Sequence, residues 1–152
     1  MVIPPKNRDS LKSRLELIKP HFIVQEFVSK RVYDLLGDYA ILLIDRGIIE
    51  TVVAVREFFQ CPVVINTWKN YGAIDGRGYR DLKENTGSTG SMHRKGGALD
   101  FVVQGISSRI VRETIIANRH LFPHVTRMED KVEWVHIDNK FTEKVDIELF
   151  QP

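Results

Sequence analysis

His93 and Asp100 stand seven residues apart in "GSTGSMHRKGGALDF", among glycines and small hydroxylated residues, and His136 follows in "VEWVHID". Imidazole nitrogen and carboxylate oxygen are ordinary ligands of zinc, which in a catalytic site takes three protein ligands and leaves a fourth position open. His93, Asp100 and His136 supply that set if the segments carrying them are neighbouring strands. Gly96 and Gly97 would let the chain turn sharply between the first two ligands. Ala98 shares strand parity with Asp100, so its small side chain leaves room above the site. By type and spacing alone, the stretch also fits a polar turn leading into a strand, with His93 an ordinary buried histidine.

The remaining histidines make weaker cases. His120 and His124 have the i, i+4 spacing of a metal pair on one helical face. Pro123 lies between them, however, and a helix ends before a proline, so capping or surface roles are expected. His21 follows Pro20 and has no nearby partner. Beside His136, Glu133 and Asp138 are the carboxylates of interest. Residues 133 and 136 have opposite parity in a regular strand, so Glu133 can reach the same site only where the chain bulges or leaves strand geometry. Asp138 has the parity of His136 and suits a supporting carboxylate, or the base if Glu133 faces away. Glu129 and Asp130 read as hairpin-turn residues, and Trp134 as a core side chain in preference to a cleft lining.

The elements that must position these groups follow from periodicity and punctuation. A short helix over about Ser10–Ile18 ends at Pro20. "HFIVQEFVSKRVYDLLGDYAILLI" starts extended and becomes two short helices broken at Gly37. The strongest helical pattern is "DRGIIETVVAVREFFQ", about Asp45 to Gln60, whose Ile48, Ile49, Val52, Val53, Val55, Phe58 and Phe59 form a broad apolar face. "PVVINTW" and "GALDFVV" read as strands. Between them, residues 69–92 are polar and glycine-rich without periodicity, the mark of a functional loop. Ser107 or Ser108 caps a helix to about Arg119, and "HVTRM" and "VEWVHID" form a closing hairpin. The expected class is α+β: N-terminal helices packed on a small antiparallel sheet, one domain over 1–152 with residues 1–8 as an arm.

Bulk composition narrows the alternatives. The 152 residues are 43% hydrophobic and 28% charged, with a net charge of +2, which fits a globular domain. Basic residues are interleaved with acids, so no nucleic-acid partner is expected. The longest apolar run, "YAILLI", cannot span a bilayer, and no membrane partner is expected. Cys61 is the single cysteine, which excludes an internal disulfide and reads as a buried, inert thiol. The first residues lack a signal-peptide pattern, so a cytoplasmic chain, monomeric, is expected.

Two motifs carry a family resemblance. "SMHRKGGALD" meets S-x-H-x-x-G-x-A-x-D at every fixed position, and "EWVH" meets E-x-x-H. In this order they resemble the D-Ala-D-Ala carboxypeptidase and dipeptidase family of zinc peptidases. That family includes L-alanyl-D-glutamate endopeptidases used as phage endolysins, and it shares its fold with hedgehog signalling domains. "HFIVQEF", "VVAVREFFQCPVVINTW" and "GRGYRDLKEN" are similar to further family segments. The resemblance implies Zn²⁺ on His93, Asp100 and His136, Glu133 as catalytic base, Arg80, with Arg77 second, as the cleft arginine, and the 69–92 loop with Tyr71, Tyr79 and Arg80 as one wall of the cleft. It implies hydrolysis of peptide bonds in bacterial peptidoglycan stems by a phage or prophage enzyme, acting at the cell wall after release or from the virion. The competing expectation is a non-catalytic, metal-binding phage structural or wall-binding protein of the same fold.

Overall fold

The computed structural model describes residues 9–84 and 87–152; the expected arm at 1–8 lies outside them. Helix starts follow local hydrogen-bonding chemistry. The Ser10 hydroxyl accepts from the Ser13 N–H at 3.2 Å, and the Ser13 hydroxyl accepts from the Ser10 N–H at 3.1 Å. This reciprocal cap opens α1, Leu11–Ile18. Gly37, at φ 57°, ends α2 (Lys30–Leu36), and a 3-10 turn over Gly37–Leu43 follows in place of a second α-helix. The Asp45 carboxylate accepts from the N–H groups of Gly47 and Ile48 and opens α3, Arg46–Phe59. Ser107 rather than Ser108 caps α4, Ser108–Ala117.

Five strands form one sheet in the order β1-β2-β4-β3-β5: β1 Val63–Val64, β2 Ala98–Val103, β3 Arg127–Glu129, β4 Val135–Asp138 and β5 Glu148–Phe150. The α+β class holds. The sheet is mixed rather than antiparallel, because β5 runs parallel to β3. Only three residues long and incompletely buried, β5 lacks a run of alternating apolar residues that would announce it.

Side-chain alternation gives the sheet two different faces. Leu99, Phe101, Met128, Val135 and Ile137 are fully buried in the apolar cluster that also holds Ile48, Ile49 and Val52 of α3 and Val111 and Ile115 of α4. Each such side chain contributes about 1.5–3 kcal/mol relative to exposure. Phe58, expected on that apolar face, is instead 44% exposed. The alternate residues of β2, β4 and β3, from Ala98 and Asp100 to Arg127 and Glu129, belong to the opposite face.

The polar stretch after β1 is irregular, bounded by 3-10 turns at Trp68–Asn70 and Met92–Lys95, but one part of it is tied to the core. The Tyr79 N–H donates to the Phe27 carbonyl at 2.9 Å. The buried Asn66 donates to the Val28 carbonyl and accepts from the Arg77 N–H. A Cβ at Gly78 would lie 1.8 Å from the Phe27 carbonyl oxygen, so only glycine lets the segment approach this closely. Tyr79 packs against the core and Tyr71 is fully exposed; neither lines the cleft described below. Among the described residues, no helix is long and apolar enough to cross a membrane.

Gly78→Ala is expected to lower unfolding stability by roughly 1–3 kcal/mol through backbone overpacking. Gly90→Ala, where an added Cβ meets nothing within 4 Å, should stay within about 0.5 kcal/mol of the parent. Urea denaturation of both variants measures the difference, and equal midpoints would show that the contact at Phe27 is not a constraint.

Candidate metal centre

The β2–β4 register places Asp100 directly opposite His136. Cross-strand partners point to the same face with Cβ atoms about 4.5–5.5 Å apart. Here the His136 Nδ1 atom lies 2.7 Å from Asp100 Oδ1. His93 reaches the same carboxylate from the 3-10 turn that precedes β2, with its Nε2 3.3 Å from Asp100 Oδ2. That turn closes at Gly96, which is left-handed at φ 74° and donates its N–H to the His93 carbonyl. The Gly96 carbonyl accepts from the Asp45 N–H at 2.8 Å, which anchors the turn to the start of α3. Potential ligand atoms of His93, Asp100 and His136 all lie within 4.8 Å of one another, and all three residues are buried.

The partners of the two imidazoles decide which nitrogen is free. His93 Nδ1 is 2.9 Å from the Gly78 carbonyl oxygen. A carbonyl only accepts, so Nδ1 carries a proton, and Nε2 faces Asp100. His136 has a carboxylate at each nitrogen: Asp100 at Nδ1 and Asp138 Oδ2 at Nε2, 3.0 Å away. A neutral imidazole has one N–H, so one of these contacts must otherwise bring two acceptors together. Two arrangements reconcile these acceptors: an imidazolium donating to both carboxylates, or a cation between His93 Nε2, His136 Nδ1 and Asp100. The donor set therefore fits a divalent metal ion, and its two nitrogens and one carboxylate suit zinc.

Charge at the site follows the same logic. Burial acts to raise the Asp100 pKa, but the hydrogen bonds to His136 and His93 outweigh it and hold the carboxyl well below the usual range. Burial acts to lower the His136 pKa, and Asp100 and Asp138 overcome it and raise it to about 9. Asp138, fully buried, would be raised by burial; His136 and Arg127 instead lower it to about 2. Arg127 binds both Asp138 oxygens, at 3.0 and 2.7 Å, and its guanidinium lies 4.3 Å from the Phe150 ring centre.

A cleft of about 410 Å³ opens over the triad, lined in part by Arg80, Ser91, Glu129, Trp134 and Phe150. A second cavity, about 550 Å³, shares Arg80, Asp100 and Trp134 with the first and adds Arg77 and Asp75. The Arg80 side chain donates from Nε to the Gly76 carbonyl at 2.5 Å and from Nη2 to Asp100 at 3.4 Å. Of the two candidate arginines, Arg80 is the one beside the triad.

Comparisons with protein-family models, curated proteins and solved structures find no match to this chain.

Several expected positions come out differently. Glu133 precedes β4 in a bend, is exposed, and does not line the cleft. The segment around it is held from α4: Arg112 donates to the carbonyls of Val132 and Trp134, and Ser108 donates to that of Val132. Trp134 lines the cleft rather than the core and donates from Nε1 to Glu129 Oε2 at 3.1 Å. Glu129 is the last residue of β3, not a turn residue. His120 and His124 are exposed as expected, His124 beside Glu50, whereas His21 has a partner near it in Glu57. Cys61 is half-buried rather than buried. Ala98 is fully buried opposite Asp138, where its small side chain leaves the carboxylate room. Sequence reasoning missed Gly78, Arg127 and Phe150; only the strand register identifies the last two.

Asp138→Asn keeps the side chain's shape and removes the charge that fixes His136. Zinc affinity, measured by competition with a chromophoric chelator, is expected to fall about 10–100-fold while the circular dichroism spectrum stays unchanged. Unaltered affinity would show that Asp138 does not orient the ligand.

Proposed function

We propose that this chain is a zinc-dependent peptidase that hydrolyses peptide bonds in the stem peptides of bacterial peptidoglycan, a phage or prophage enzyme of the hedgehog-type fold. The observation that carries this reading is the buried His93–Asp100–His136 donor set on the floor of an open cleft. The motifs around those residues supply the substrate class.

Bound there, zinc would polarise the scissile carbonyl and lower the pKa of a water from about 15.7 toward about 7. The chain's own groups do the rest. The Gly78 carbonyl and the Asp138 carboxylate keep the two imidazoles turned toward the site. Arg80, beside Asp100, supplies positive charge for an oxyanion or a substrate carboxylate. A carboxylate must also take a proton from the attacking water and return it to the leaving amine; the family resemblance points to Glu133 for it, but that side chain does not line the cleft. Cavities on both sides of Arg80 and Trp134 leave room for substrate in two directions, which favours an internal bond over a terminal one.

One observation favours the second reading, a metal-binding protein without catalysis: Glu133 stands outside the cleft. Metal analysis together with digestion of purified peptidoglycan separates the two. The peptidase reading expects about one zinc per chain and new peptide termini by mass spectrometry, with His136→Ala reducing both to background. Full zinc occupancy without hydrolysis, across pH and salt, would overturn the enzyme and retain the metal site.

A further inference from the structure

Across β4 and β3 the paired residues are Arg127 with Asp138 and Met128 with Ile137. Carrying that antiparallel register one step on brings Glu129 opposite His136. Asp100 flanks His136 on the other side, so Asp100, His136 and Glu129 form one row across three adjacent strands, on one face. Glu129 is half-buried and lines the same cleft as the triad. Its Oε2 accepts from the Trp134 indole, which holds the side chain over the cleft.

We infer that Glu129, rather than Glu133, is the proton-transferring carboxylate of this site. The inference rests on the peptidase reading above and on the exclusion of the other carboxylates of the cleft. Asp100 belongs to the donor set. Asp138 is fully buried, with both oxygens on Arg127 and one also on His136, so it cannot meet a reacting water. In the reaction, water's oxygen bonds to the scissile carbonyl carbon as one of its protons passes to Glu129. The C–N bond then breaks, and Glu129 returns that proton to the leaving nitrogen. A carboxylic acid and an amine result, and the carboxylate is regenerated. Trp134 is a positioning residue: its indole N–H engages one Glu129 oxygen at the cleft.

Glu129→Gln and Glu133→Gln, zinc-loaded, are compared with the parent chain on purified peptidoglycan and by titration with acetohydroxamate. Hydroxamic acids give up their hydroxyl proton on chelating a metal, and a neighbouring carboxylate that takes it strengthens binding. Glu129→Gln is expected to lower turnover by about 10²–10⁴-fold and to weaken acetohydroxamate about tenfold, with zinc content unchanged. Glu133→Gln should leave both within about threefold. Losses confined to Glu133→Gln would overturn the assignment, as would acetohydroxamate affinity unchanged by Glu129→Gln. If the parent hydrolyses no peptidoglycan, the peptidase reading fails, and the titration still decides whether Glu129 faces the metal.

Discussion

Asp100 and His136 are partners in the β2–β4 ladder, and everything at the site depends on that pairing. Because strand side chains alternate with a period of two, a slip of one residue would send His136 to the core face and bring Val135 or Ile137 to the cleft. The slip is prevented by the opposite face. Leu99 and Phe101 on β2 and Val135 and Ile137 on β4 are fully buried under α3 and α4, and no register offset by one residue keeps them there. The apolar core thus determines which polar side chains meet on the other side.

The polar face accumulates acceptors that protonation of His136 or a bound cation reconciles. Asp100 touches both imidazoles, Asp138 touches the far nitrogen of His136, and Arg127 and Phe150 close the far end. Buried charges are tolerable when paired and hydrogen-bonded, and Arg127 meets that requirement for Asp138. The Gly78 carbonyl does the equivalent for His93 from outside the sheet. It is there because glycine allows the loop to lie against the Phe27 carbonyl. A position remote in sequence from both motifs therefore sets the tautomer of a ligand.

The grouping of His93, Asp100 and His136 was legible through the two motifs that hold them; by type and spacing alone the first stretch fits a polar turn equally well. The helices were legible too, since Ser10, Asp45 and Ser107 are capping residues placed directly before amphipathic runs. What escaped depended on register and chain direction. Glu129 reads as a turn residue in "MEDK" because strand β3 is three residues long; pairing with His136's strand makes it a cleft residue. Glu133 is separated from the cleft by the bend that Arg112 and Ser108 hold, and no local pattern announces a contact from α4 across more than twenty residues. Trp134 reads as a core side chain because a large aromatic beside a strand usually packs inward, whereas its indole N–H finds Glu129 at the cleft.

The central claim is that three residues on neighbouring segments hold one divalent ion. Zinc K-edge X-ray absorption of the metal-loaded chain tests it most directly. The expected result is a nitrogen and oxygen shell at about 2.0–2.2 Å with the scattering of two imidazoles, and no zinc above background in His136→Ala. A sulfur shell from Cys61, or an imidazole signal indifferent to His136, would contradict the site.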